Sequence, residues 1–131
     1  MATAFRAVCS IVVGVALAFA LVIAVEFVSA VVHPLPPDFD GSMDEMCQHV
    51  ARYPDWVLAL VVVAWGCTTF ASTWITRRIS NRPCGACVGL FLFAAVAFNI
   101  AMLPYPIWFK VAILIAIPAA IYLGLRSQVV G

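Results

Sequence analysis

EFVSAVVHPLPPDFDGSMDEMCQHVARYPDW, residues 26–56, divides a strongly apolar chain into two parts. The stretch holds all six acidic residues, both histidines and four of the eight prolines. An apolar run adjoins it on each side. The run before it covers 7–32 and is interrupted only by Glu26; at about 1.5 Å per residue it is long enough to cross a hydrocarbon core of about 30 Å. The run after it, 56–75, ends at Arg77 and Arg78. Two more follow, 84–103 and 107–125, the first introduced by Asn81-Arg82-Pro83 and the second closed by Arg126.

Of the 131 residues, 66% are hydrophobic and only 10% are charged. A soluble domain carries about a quarter charged residues, so this chain lacks the polar side chains to clothe a core in water. The expectation is an all-α integral membrane protein: one membrane domain, 1–131, of four transmembrane helices, with the lipid bilayer as its first partner. Nothing in the chain resembles a phosphate loop, a serine–histidine–acid set or a nucleic-acid surface, and no cofactor is expected. Val28-Ser29-Ala30 behind Arg6 is similar to a signal-peptidase site. The apolar stretch before it exceeds the roughly 7–15 residues of a signal h-region, so an uncleaved first span is expected.

The basic residues set an orientation. Arg6, Arg77, Arg78, Arg82 and Arg126 fall on one side of the four runs, Arg52 and Lys110 on the other. The positive-inside rule then puts both termini and the 76–83 connection in the cytoplasm and the 33–55 loop outside, across a bacterial inner membrane. Trp56, Tyr105 and Trp108 stand where an interfacial aromatic belt belongs. Tyr53-Pro54-Asp55-Trp56 and Tyr105-Pro106-Ile107-Trp108 open the second and fourth spans alike, with proline expected in the first helical turn. They suggest two hairpins of the same orientation about a pseudo-twofold axis. Pro118 should bend the last span.

Within the loop, residues 33–37 cannot continue a helix and 38–41 should turn. Ser42-Met43-Asp44-Glu45 matches a capping box. Met43, Met46, Cys47 and Val50 then follow helical spacing, which predicts a short amphipathic helix on the outer face, with His49 at the flank of the apolar stripe.

Four sets of residues could carry chemistry. Glu26, an ionisable group near the end of a span, marks an ion or proton site by default, with His33, Asn99 and Lys110 as candidate partners. Met43, Met46, Cys47 and His49 together have the donors a soft metal takes, although the same residues build a helix face. The acidic run 38–45 fails the calcium-loop order, because Gly41 stands fourth rather than sixth. Cys84-Gly85-Ala86-Cys87 is a C-x-x-C at a helix start, where the dipole favours a thiolate for redox exchange or metal binding. Four spans with this tetrapeptide resemble the quinone-linked disulfide-forming membrane proteins and the vitamin K epoxide reductase group, and paired cysteines are also similar to those of small mercury-uptake membrane proteins. In the disulfide-forming families the dithiol faces the oxidising side; here Arg77, Arg78 and Arg82 place it in the cytoplasm, with Cys47 alone outside.

Small residues recur at four-residue spacing: Gly14 with Ala18, Ala64 with Thr68 and Ser72, and Gly85 with Gly89. Such faces bring helices close, within one chain or in a homo-oligomer. The functional expectation is a non-enzymatic small inner-membrane protein, an accessory subunit or a minimal oligomeric transporter. The alternatives are a membrane thiol oxidoreductase using Cys84 and Cys87, and soft-metal transport or binding.

Overall fold

The computed structural model describes residues 1–127. Among them it holds five helices and no strand: α1 (Ala2–Val32), α2 (Met43–Ala51), α3 (Asp55–Ile79), α4 (Arg82–Met102) and α5 (Ile107–Arg126). Four of these, all but α2, are long and apolar enough to cross a membrane. Each runs past its apolar core. α1 begins at Ala2, and α3 carries on through Arg77 and Arg78 to Ile79.

The helix starts follow local chemistry. Asn81 Oδ1 accepts from the Cys84 N–H at 2.9 Å and Pro83 lies in the first turn of α4, satisfying one of the donors a helix N-terminus leaves open. Ser42 Oγ accepts from the Glu45 N–H at 3.2 Å. The returning half of the capping box is redirected: Glu45 Oε2 accepts from the Asp40 N–H, and Asp40 Oδ1 accepts from the Ser42 N–H, both at 2.8 Å. Gly41, at φ 81°, makes that exchange possible. The two Y-P-x-W runs do fold alike, with one correction. Pro54 and Pro106 are the N-caps of α3 and α5, extended at ψ 145° and 151°, rather than first-turn residues.

α3 is the centre of the bundle: it packs against α1, α4 and α5, while α4 also meets α5 and α1. α1 and α5 do not touch, so the pairing of α3 with α4 has no twofold counterpart. An apolar cluster of Leu58, Val96, Ile100, Phe109, Ile113 and Ile117 fills the space between α3, α4 and α5. Pro118 sits exposed within an α5 that continues on both sides of it.

The interface of α1 with α3 is built differently. Ser72, Thr73 and Thr76 are fully buried, and a Cβ added at Gly14 would overlap the Thr76 hydroxyl. Gly85 lies against the Thr73 carbonyl, Gly89 against Ile121 and Gly124 against the Phe70 carbonyl. The small-residue faces are therefore occupied by the chain's own helices. Thr68, Thr69 and Thr76 donate to the carbonyls four residues back at 2.8–2.9 Å, which satisfies those three hydroxyls inside an apolar bundle; the Ser72 and Thr73 hydroxyls beside them are buried with no partner among the described residues. At one end Arg6 Nε donates to the Ile79 carbonyl and Arg77 Nη1 to that of Ser127, the latter at 2.7 Å. Guanidinium groups thus meet the open carbonyls where α3 and α5 finish, as the helix dipole favours.

Candidate functional site

The opposite end of the bundle gathers the acidic and aromatic side chains. α2 does not pack backbone to backbone on any other helix; it is held through Val50 and His49, which are only 3% and 7% exposed. The His49 ring stacks on His33, centroids 4.3 Å apart with planes at 28°, and Tyr53 closes the group at 4.5 Å from His33 and 5.3 Å from His49. His33 Nε2 also lies 3.3 Å from the His49 carbonyl oxygen. His49 therefore stands at the heart of the cap rather than at the flank of its helix stripe. The sequence missed this because the partners of His49 come from the proline leg and the start of α3, not from α2.

Beneath this cap is a cavity of about 370 Å³. Glu26 from α1, His49, Tyr53, Asn99 from α4 and Tyr105 line it. Three thioethers, Met43, Met46 and Met102, complete its softer walls with Phe98. Two of the four residues expected together, Glu26 and Asn99, do share a cavity. His33 reaches it through the ring stack on His49. Lys110 does not line it: Phe109 turns inward at 2% exposure, and the next residue on a helix points about 100° away. Tyr53 and Tyr105 stand in the wall, where sequence reasoning had Tyr105 as a belt residue. Their signal was the two tyrosines of the Y-P-x-W runs, whose tryptophans, Trp56 and Trp108, are the exposed members.

Burial, then the nearby Tyr53 and the Glu26 carboxylate, push the Tyr105 hydroxyl up to about 12. Burial and Glu26 raise Tyr53 as well, opposed weakly by the Ser29 hydroxyl. Burial, then His33 and Arg52, hold His49 below its ordinary value, favouring the neutral ring. Both phenols stay protonated at neutral pH, and Glu26 is the one carboxylate in the wall.

The other candidate groups fall elsewhere. Met43 and Met46 line the cavity with His49, but Cys47 does not. Among the described residues no three His, Cys, Asp or Glu side chains come together as a metal-holding group. Cys84 is buried with the Ser80 hydroxyl 3.6 Å from its sulfur, Cys87 is exposed, and both are free thiols. A further hollow of about 470 Å³ between α1 and α3 is walled mostly by aliphatic side chains. No protein-family model, curated protein or solved structure matches the chain.

Proposed function

We propose that this chain is a small integral membrane protein whose spans are α1, α3, α4 and α5, and that the cavity around Glu26 is a cation or proton site of a minimal, non-enzymatic transporter. The chain is oriented in a bacterial inner membrane as two hairpins of the same direction, both termini cytoplasmic and residues 33–54 outside. What supports the orientation is the separation of charge. Arg6 and Arg77 hold the helix ends at one pole, while Glu26 and the acidic loop stand at the other. The positive-inside rule turns that polarity into a direction.

The observation that carries the functional reading is the composition of the cavity: one carboxylate, two protonated phenols, an amide and the His49 imidazole of the cap itself. A carboxylate near the end of a span that can exchange a proton for another cation is the elementary part of a coupled carrier. The reading is stated for one chain, since the small-residue faces pack against the chain's own helices.

Proteoliposomes with an entrapped pH dye test it. A tetramethylammonium gradient should drive proton movement in the opposite direction through the wild type. Glu26→Gln should abolish that movement and leave the thermal unfolding midpoint unchanged. Wild-type proton movement in the variant would remove the reading.

A further inference from the structure

The space around Glu26 does not end at Asn99. The same side chain lines a second cavity, about 270 Å³, enclosed by α1, α3 and α4. Ala18, Val22, Leu92 and Val96 make its walls apolar. Its few polar groups are of two kinds. Thr68 and Thr69 already donate to the Ala64 and Trp65 carbonyls at 2.9 Å. Trp65, in the same wall, carries an indole N–H that is shielded from solvent and has no partner among the described residues.

We propose that the two cavities are one bipartite site for a substituted ammonium compound with an apolar tail, the head at Glu26 and the tail passing Asn99 into the inner cavity. This rests on the reading of Glu26 as the solute site and adds the class of solute. Neither Lys nor Arg lines either cavity, so a head of positive charge meets Glu26 without competition. Tyr53, Tyr105 and Phe98 supply π faces of the kind that attract quaternary nitrogen. The thioethers of Met43, Met46 and Met102 shape themselves to variable bulk. An anion would meet the Glu26 carboxylate. A bare metal ion would find no second carboxylate in the wall and would leave the apolar cavity unused. The titratable and charged groups facing the head are Glu26, His49, Tyr53 and Tyr105, with His33 stacked on His49 and Arg52 near it; protonating His49 opposes a cation, so acid weakens binding.

Tryptophan fluorescence of the purified protein in a maltoside detergent tests the proposal with three probes: tetramethylammonium, octyltrimethylammonium and octyl sulfate. Octyltrimethylammonium should bind at least about tenfold more tightly than tetramethylammonium, since each buried methylene contributes about 0.8 kcal/mol before micelle partitioning competes. Its saturable signal should vanish in Trp65→Phe, weaken from pH 8 to pH 5, and be absent with octyl sulfate. Ala95→Leu, which fills the inner cavity at a residue that does not line the Glu26 cavity, should erase the tenfold gain and leave tetramethylammonium binding intact. Competition by a short-chain phosphocholine lipid would name a lipid headgroup as the source of this chemistry, and its failure a free amphiphile. Equal affinity for the two ammonium probes, or an undiminished gain in Ala95→Leu, overturns the bipartite site. If both probes bind equally and Glu26→Gln abolishes both, the head site stands alone; if Glu26→Gln binds both as the wild type does, the head site falls too.

Discussion

His49 shows how one titratable ring can control an element. With Val50 it anchors α2, stacked on His33 and edged by Tyr53, and its pKa is lowered from 6.5 by burial first, then by His33 and Arg52. Between that lowered value and 6.5 the unfolded chain binds a proton that the folded cap rejects, so stability is full above 6.5 and is lost as pH falls through the window. The thermal midpoint should therefore drop between pH 8 and pH 5. His49→Phe keeps a flat ring in the stack and removes the proton, so its midpoint should change less over the same range. An identical fall in both proteins would place the acid sensitivity outside His49.

At the scale of elements, two glycines separate close packing from helix propensity. A Cβ at Gly14 would overlap the Thr76 hydroxyl and lie 3.2 Å from the Ser72 carbonyl oxygen, whereas one at Gly66 meets nothing within 4 Å. Gly14→Ala must push α1 away from α3 or break the Thr76 bond to Ser72, 2.8 Å long; overpacking of this sort costs about 1–3 kcal/mol. Gly66→Ala adds only a better helix former and should gain up to about 1 kcal/mol. Unfolding midpoints in denaturing detergent should move in opposite directions for the two variants. Helices were the most legible part of the sequence, because apolar length, Asn81 and Ser42 each act locally. The partners of each face were not legible. Spacing placed Gly14, Ser72 and Gly85 on helix faces, but it could not say that the first two face each other.

For the whole molecule the governing feature is polarity along the bundle. Arginines bond the helix ends at one pole, and the other pole carries Glu26, the histidine–tyrosine cap and the acidic loop. That segregation was readable in the sequence, since charge position along a chain of apolar runs needs no tertiary information. The cavity was only half readable. Glu26 stands out as a charge in an apolar run, and Asn99 as an amide in another. Tyr53 and Tyr105 look like surface anchors until the chain folds them inward, and Lys110 looks like a partner until Phe109 takes the inward position. If the poles are the two sides of a membrane, single cysteines placed at each should react from opposite sides. In a background with all five native cysteines replaced, Thr3→Cys and Asp38→Cys lie at the basic and acidic poles on exposed positions. An impermeant maleimide added to intact cells should modify Asp38→Cys alone, and the same reagent on inverted vesicles should modify Thr3→Cys alone. The reverse pattern would turn the molecule over and put the Glu26 cavity on the cytoplasmic side. Labelling of both from one side would mean that the charge separation is not a transmembrane one, and the carrier reading would lose the two aqueous faces it requires.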